Sequence, residues 1–130
     1  MARLPLPSVV VFVADVARLT AFYRVAAGMS VVSGDETHSV LEVEQFQLVI
    51  HGLRGEPRVT PGPEGTPRVR QDTYIKVCLP VESLAEARGR IAEMGGRLYS
   101  AEREWEARGF RACDGFDPEG NVFQLREAAV

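Results

Sequence analysis

An internal repeat with a step of 68 residues is the feature that most constrains how this chain folds. Asp15 begins a helical pattern that ends at Gly28, and the same step leads to Ser83 and Gly96, which begin and end a second one. Aspartate and serine are preferred N-caps, and glycine is the usual left-handed stop. An apolar strand pattern precedes each cap. The repeat therefore predicts that one fold unit is used twice.

The first half of the chain reads as one helix and four strands. Residues 8–13 are apolar and β-branched, which favours a buried strand. Further strand candidates follow the helix at 29–33, 39–43 and 46–51, with a Gly-Asp-Glu turn at 34–36. This order predicts a βαβββ module over about residues 5–52.

A proline-rich segment separates the two halves. Prolines stand at positions 57, 61, 63 and 67, a density that excludes a helix interior or a central strand. We therefore predict a linker over about residues 53–71. Its length exceeds that of most connections in compact domains, so we expect part of it to be mobile or to cover a site.

The second half repeats the order of the first, over about residues 72–128. Ser83 and Glu86 form a capping-box pattern at the start of the second helix. Strand candidates lie at 73–79, 97–100, 109–114 and 121–127, and residues 102–108 read as a charged loop that carries Trp105. We predict an α+β fold, a single domain of 130 residues whose two tandem βαβββ modules curl their mixed sheets around a shared cleft.

Composition excludes several classes of partner. A net charge of −3 with scattered arginines gives no basic surface for nucleic acid. The longest apolar run, residues 9–14, is too short to span a bilayer. The two cysteines form no C-x-x-C motif and are expected to be reduced thiols in a cytoplasmic protein. We predict a protein with neither nucleic-acid nor membrane partners.

Three features of the chain occur together: two βαβββ modules, Phe22-Tyr23 and Gly28 in the first helix, and the segment Asp-Pro-Glu-Gly-Asn-Val-Phe-Gln-Leu at 117–125. In this combination the chain resembles the vicinal oxygen chelate superfamily. That group includes glyoxalase I, extradiol dioxygenases, fosfomycin-modifying enzymes and bleomycin-binding proteins. The resemblance covers nearly the whole chain and implies a site inside the curled sheets. It also implies a homodimer, which the long linker would allow to form by exchange of modules.

The resemblance further implies a metal site, from which this sequence departs. Metal-dependent members bind a divalent ion through the first strand of each module and the last strand, usually with two histidines and a glutamate. Some members add a ligand from the last strand of the first module. The three main positions fall on Ser8, Lys76 and Gln124. None is a good ligand, and an ammonium repels a divalent ion. We predict no metal cofactor, with a divalent ion as the alternative.

Two alternatives keep an enzymatic function open. His51 shares a strand face with Gln47 and Val49, and together with Glu104 or Glu106 it would offer an atypical ion site. A buried Lys76 would act as a base or an imine-forming amine. Either would make the chain a lyase or a dioxygenase-type enzyme of the same superfamily. No catalytic residue is assigned.

Strand alternation suggests how a pocket is lined. Lys76 and Cys78 share a face on one strand, and Gln124 and Arg126 share a face on another. An apolar cleft with a few polar groups is typical of small-molecule sites. We predict that the chain binds and sequesters a small organic molecule. The predicted ligand-binding residues are Ser8, Phe12, His51, Tyr74, Lys76, Trp105, Phe110 and Gln124.

Overall fold

Two modules of the same design follow one another in the computed structural model, which describes residues 4–54 and 59–129. Module one consists of β1 (Ser8–Val13), α1 (Val16–Ala27), β2 (Ser30–Gly34), β3 (His38–Val43) and β4 (Phe46–Gly52). Module two consists of β5 (Val77–Pro80), α2 (Leu84–Glu93), β6 (Arg97–Leu98), β7 (Trp105–Ala107), β8 (Phe110–Phe116) and β9 (Val122–Ala128). Short 3₁₀ turns lie at Pro63–Gly65 and Ala101–Arg103. Residues 55–58 of the predicted linker lie outside the described part.

Each module builds one mixed sheet. The first has the order β1-β4-β3-β2, and the second has the order β5-β9-β8-β6 with β7 paired to β8. In both, the first strand runs parallel to the last strand, and the remaining pairs are antiparallel. The predicted α+β class and the tandem modules are confirmed. The two sheets remain separate and are not closed on each other.

The helix caps confirm most of the predicted repeat. An Asp15 side-chain oxygen accepts from the Arg18 N–H at 3.0 Å, and Ser83 Oγ accepts from the Glu86 N–H at 3.1 Å. Gly28 ends α1 with a φ of 62°. The glycine that ends α2 is Gly95, with a φ of 86°, and not Gly96 as the repeat predicts.

Gly96 is instead required by close packing. A Cβ there would lie 2.5 Å from the Phe22 ring and 2.6 Å from the Phe116 carbonyl oxygen. The two glycines thus meet two different requirements: Gly95 adopts the left-handed conformation that ends the helix, and Gly96 allows a strand to approach closely. This division explains why the repeat slips by one residue at the helix end.

One apolar cluster includes residues of both modules and lies between the helices and the sheets. The Phe22 and Phe123 ring centres are 5.8 Å apart across the module boundary. Arg90 of α2 donates from Nε to the Val25 carbonyl of α1 at 3.1 Å. The fully buried members of the cluster include Leu19, Phe22, Leu41, Leu48, Ile50, Leu79, Leu84, Ile91, Phe123 and Leu125.

Two predicted boundaries are wrong for reasons of strand pairing. The strand predicted at 73–79 begins only at Val77, because its partner β9 begins at Val122 and the chain before it is a turn. The loop predicted at 102–108 contains β7. Arg108 and Gly109 have φ values of 40° and 83°, which make a tight hairpin that returns Trp105–Ala107 along β8.

Within the described residues, no helix combines the length and the apolar character that crossing a bilayer requires.

Candidate functional site

Each sheet packs one face against the helices and leaves the other face open. In β1 the odd-numbered valines point to the core, so Ser8, Val10 and Phe12 occupy the open face. Val10 is 45% exposed and Phe12 is 56% exposed, which is unusual for large apolar side chains in a sheet. We refer to these two surfaces as open face one and open face two, after their modules.

A hydrogen-bonded network of charged and polar side chains occupies open face two. Strand register aligns Cys78, Gln124 and Asp114 across β5, β9 and β8. Lys76 Nζ donates to Asp114 Oδ2 at 2.7 Å, and Gln124 Nε2 donates to Asp114 Oδ1 at 3.2 Å. Both oxygens of the carboxylate therefore have partners, one of them a cation.

Arg126 extends the network toward an aromatic ring. Its Nε donates to Gln124 Oε1 at 2.6 Å, and its Nη2 donates to Cys78 Sγ at 3.4 Å. Its Cζ atom lies 4.3 Å from the centre of the Phe110 ring. The guanidinium is thus held in one orientation by hydrogen bonds and by a cation–π contact.

The charges of this network do not balance. Lys76 and Arg126 are two cations, and Asp114 is the one carboxylate that the network includes. The network therefore carries one excess positive charge. Trp105 lies opposite Ala112 in register and so shares the face of Phe110, with 40% of its surface exposed.

Open face one has a different composition. His51 lies opposite Phe12 in register, and the two ring centres are 5.6 Å apart. His38 lies opposite His51 on the next strand. The next residues on this face are Val10, Val49 and Val40, and beyond them Gln47 donates to Glu42 at 2.8 Å. The face thus has imidazoles at one end, valines in the middle and a polar pair at the other end.

The structure places the predicted site residues in three locations. Lys76, Phe110 and Gln124 belong to the network of open face two, and Trp105 lies beside it. Ser8, Phe12 and His51 lie on open face one, and the network's hydrogen bonds within the described residues do not reach them. Tyr74 is fully exposed ahead of β5.

Asp114 and Arg126 complete the network; alternation in the sequence already places Arg126 on the face of Gln124, whereas Asp114 does not stand out as a site residue. Asp114 is 38 residues from Lys76 along the chain, so only the three-dimensional register reveals the pair. Alternation along 110–116 would have placed Asp114 on the Phe110 face. That is the one sequence signal that could have found it.

The residues at the superfamily's metal positions do not fit a divalent ion. Ser8 is exposed, Lys76 is ion-paired with Asp114, and Gln124 uses both its oxygen and its nitrogen in hydrogen bonds. A metal ion there would displace these bonds and face an ammonium. Across residues 4–54 and 59–129, no group of three or more His, Cys, Asp or Glu side chains is arranged to hold a metal.

The position of the fourth ligand is also apolar. The repeat makes Ser8 the counterpart of Lys76. In the parallel registers, the residue two places after Ser8 pairs with Val49, and the residue two places after Lys76 pairs with Gln124. Val49 is therefore the counterpart of Gln124. His51 lies two residues beyond that position, so it does not replace the ligand that some superfamily members carry there.

Glu104 is bound elsewhere and is not among the contacts of His51. It accepts from Arg88 Nη2 at 2.5 Å and from Arg111 Nε at 2.6 Å, and its side chain is 9% exposed. Burial raises the pKa of this carboxyl, but hydrogen bonds from Arg111 and Arg88 outweigh it, and the net pKa is lowered. The third candidate, Glu106, contacts Arg111 at 3.4 Å. These acids stabilise module two.

The Asp-Pro-Glu-Gly-Asn turn has a structural role. Asp117 is fully buried and accepts from the Tyr23 hydroxyl at 2.7 Å, from the Glu119 and Asn121 backbone N–H groups, and from the Asn121 amide. Burial and the neighbouring Asp117 raise the pKa of Tyr23 well above its ordinary value. Burial also raises the pKa of Asp117. The turn thereby joins module two to α1.

Glu119 makes a second connection between the modules. Its two carboxylate oxygens accept from the Ala14 and Asp15 backbone N–H groups at 2.7 and 2.8 Å. These groups lie at the N-terminal end of α1, where a negative charge is favoured by the helix dipole. The motif that carries the superfamily resemblance therefore holds the two modules together.

Hollows on the surface do not coincide with the network. A small cavity of about 180 Å³ lies at the boundary of the two modules, lined in part by Val9, Val10 and Val77. A larger one of about 640 Å³ is lined by residues of the linker and of α2, including Pro61 and Arg88. The charged network therefore lies on an open surface, which a ligand or another chain would have to cover.

Residues 8–126 match the family described as the glyoxalase-like domain. The chain belongs to this family. The match, together with the two modules, assigns it to the vicinal oxygen chelate superfamily, as the sequence predicts. No curated protein is similar enough to be matched.

Solved structures share the fold at low sequence identity. An integron cassette protein from the mobile metagenome of V. cholerae is 21% identical, with a TM-score of 0.65 over 99% of this chain and 98% of the other. A variant of the fosfomycin resistance protein FosX from Listeria monocytogenes is 14% identical, with a TM-score of 0.61 over 100% and 93%. A glyoxalase/bleomycin resistance protein/dioxygenase family enzyme from Burkholderia phytofirmans is 15% identical, with a TM-score of 0.62 over 97% and 100%.

Proposed function

We propose that this glyoxalase-like protein binds a small organic anion on open face two and sequesters it without a metal ion at that place. The Lys76–Asp114–Gln124–Arg126 network is the observation that carries the proposal. It supplies an excess positive charge, and hydrogen bonds hold its donors in fixed orientations. A preorganised cation binds an anion at a lower entropic cost than a mobile one.

The aromatic rings suggest that the ligand also has a flat apolar part. Phe110 lies beneath Arg126, and Trp105 shares the same sheet face. Such rings bury apolar surface and stack on aromatic groups. We therefore favour aromatic carboxylates and phosphonates over purely aliphatic anions.

A structural relative supports the class of ligand. The FosX variant from Listeria monocytogenes was solved with Mn(II) and 1S,2S-dihydroxypropylphosphonic acid. The shared fold can thus accommodate a small organic anion beside an ion. In the present chain, Lys76 and Arg126 would provide the positive charge.

The enzymatic alternatives receive less support. The imine-forming mechanism depends on a buried lysine, whereas Lys76 is exposed and donates to Asp114. The ion site of His51 with Glu104 depends on a free carboxylate, whereas Glu104 is held by two arginines. Binding without turnover agrees better with both contacts.

Calorimetric titration with aromatic phosphonates and carboxylates tests the proposal. We expect Lys76→Met and Arg126→Met each to weaken binding about tenfold or more, since each removes a charge-assisted hydrogen bond worth about 1.5–3 kcal/mol. Arg24→Met, which removes an exposed positive charge from α1, is the matched control and should change the affinity less than about twofold.

Three results would contradict the proposal. One is binding that a chelator abolishes, because the ligand would then need a metal. Another is equal affinity for a neutral amide analogue, because charge recognition would then be absent. Retained affinity in both methionine variants would show that a ligand binds elsewhere.

We further propose that the protein acts in the cytoplasm as a homodimer in which a second copy covers the open faces. Val10 and Phe12 are exposed on the same face of β1, and the exposed Ile75 lines one cavity with Val10, so these side chains form an apolar patch of the kind that marks protein–protein interfaces. Light scattering on untagged protein should give twice the chain mass. Phe12→Glu should shift the equilibrium toward monomer, and a monomeric parent would contradict the proposal.

A further inference from the structure

The two histidines of the chain face each other across adjacent strands of open face one. His38 on β3 pairs with His51 on β4 in antiparallel register. Their rings are nearly parallel, with an interplanar angle of 22° and ring centres 6.2 Å apart. Directly opposite residues in such a pair have Cβ atoms about 4.5–5.5 Å apart. Side-chain rotation alone is therefore enough to bring two imidazole nitrogens onto one ion.

Hydrogen bonds fix the same tautomer in both rings. His51 Nδ1 lies 2.9 Å from the Gly52 carbonyl oxygen, and His38 Nδ1 lies 3.1 Å from Asp35 Oδ1. A carbonyl only accepts, so His51 carries its proton on Nδ1. The Asp35 oxygen already accepts from the Thr37 hydroxyl and from the backbone N–H groups of Thr37 and His38, so it acts as an acceptor toward the ring as well. In both neutral rings the lone pair is therefore on Nε2.

This arrangement is the one that metal-binding histidines adopt. A ligating imidazole usually donates its other N–H to a carboxylate or a backbone carbonyl, which fixes the tautomer and raises the basicity of the ligand nitrogen. Here one ring has a carboxylate partner and the other has a carbonyl partner.

The surroundings allow an ion to enter. The His38 side chain is about one-third exposed. A hollow of about 930 Å³ beside the pair is lined in part by Asp15, Glu36 and His51. Arg54 also lines this hollow, so two acids and one cation surround the entrance. The Phe12 ring centre lies 5.6 Å from that of His51 on the side away from His38.

We propose that His38 and His51 form a two-imidazole site for a divalent transition-metal ion, with water completing the coordination. Imidazole suits Cu(II), Ni(II) and Zn(II), and Cu(II) binds most tightly in this series. The site lies on the sheet of module one, whereas the anion network lies on the sheet of module two. The two sites do not depend on each other. It also differs from the positions at which the superfamily resemblance places a metal, which here hold Ser8, Lys76 and Gln124.

Calorimetric titration of untagged protein with Cu(II) and Ni(II) tests the site. The sequence contains no other histidine, so the imidazole contribution comes from this pair alone. We expect one ion per chain. His38→Ala and His51→Ala should each weaken binding by about 100-fold, because the second ligand of a chelate acts at a high effective concentration. The double variant measures binding by the rest of the chain.

A variant beside the site tests the tautomer argument. Asp35→Asn leaves both rings in place and should weaken the affinity by about 10-fold, in the range expected for loss of a supporting hydrogen bond. Asp72→Asn, an exposed carboxylate in the segment before β5, is the control and should leave the affinity unchanged. Lys76→Met should also leave it unchanged, which separates this site from the proposed anion site.

Electron paramagnetic resonance of the parent protein with one equivalent of Cu(II) gives a readout that needs no variant. Two coupled imidazole nitrogens are expected. A spectrum with one nitrogen or none would overturn the proposal. Single-histidine variants that bind the ion as tightly as the parent would overturn it as well.

Discussion

Module one and module two share a backbone plan and differ in the chemistry of their open faces. In both modules a capped helix follows the first strand, and the first strand pairs in parallel with the last strand. Open face one carries valines, Phe12 and two imidazoles, whereas open face two carries a network of charged side chains. The helix-facing residues determine the fold, and the opposite residues are free to diverge.

The modules also differ in how their helices are held. The N-terminal end of α1 receives Glu119 from the other module, whereas the first N–H of α2 donates to Glu127 of its own module at 2.7 Å. Glu127 accepts from the Leu84 N–H, whereas the reciprocal bond of a capping box would join the Glu86 side chain to the Ser83 N–H. The repeat is thus symmetric in the backbone and asymmetric in the contacts that join its halves.

Removal of Asp117 should have the largest effect, because it breaks the joint between the modules. Asp117→Ala leaves the buried Tyr23 hydroxyl and two backbone N–H groups without their acceptor. Each such loss costs about 1–3 kcal/mol, so we expect a total of about 4 kcal/mol in the free energy of unfolding. Urea denaturation measures it, with the exposed Asp72→Ala as control. A loss below 1 kcal/mol would show that the turn does not hold the modules together.

Local signals were enough to predict the elements that depend on neighbours in sequence. The caps Asp15 and Ser83 and the first strand at 8–13 lie where the sequence predicts them. The start of β5 could not be predicted, because it depends on where a partner strand more than forty residues later begins. The short strand that carries Trp105 depends on a positive φ at Arg108, a residue that seldom adopts it.

The candidate site was less predictable than the fold, for a related reason. The sequence could identify Lys76 and Gln124 through the resemblance, and it could show that they are poor metal ligands. Arg126 follows Gln124 on the same strand face, but Asp114 is brought to Gln124 and Lys76 only by the register of β8 against β9. Register is a property of the whole sheet, which a single sequence specifies only weakly.

Comparison of Glu119→Ala with Glu127→Ala measures the asymmetry of the two helix starts directly. Glu119 accepts two backbone hydrogen bonds and is buried, whereas Glu127 accepts one. Hydrogen bonds to a charged group contribute about 1.5–3 kcal/mol each. We expect losses of about 3 and about 1.5 kcal/mol in the free energy of unfolding. Equal losses would mean that the inter-module cap adds nothing beyond an ordinary one.

Alkaline pH should weaken the same joint through Tyr23. Its pKa is raised in the folded protein by burial and by Asp117, so above about pH 10 the unfolded chain releases a proton that the folded chain retains. The unfolded state then binds fewer protons, and stability falls by about 1.4 kcal/mol per pH unit. Urea titrations between pH 9 and 11 measure this slope. Tyr23→Phe should be less stable at pH 7 and should lose this part of the slope, and an unchanged slope would contradict the assignment.

The smallest expected effect tests the symmetry itself. Asp15 and Ser83 occupy equivalent N-cap positions, and each accepts one backbone hydrogen bond at 3.0 or 3.1 Å. Replacement of an N-cap by alanine costs about 1 kcal/mol, so Asp15→Ala and Ser83→Ala should lower the free energy of unfolding by similar amounts. A much larger loss at Asp15 would mean that its cap and the neighbouring Glu119 bonds act as one unit. Suppose that the losses in the free energy of unfolding are equal at Asp15 and Ser83 but unequal at Glu119 and Glu127. The symmetry of the repeat would then be retained within each helix and absent only from the contacts between the modules.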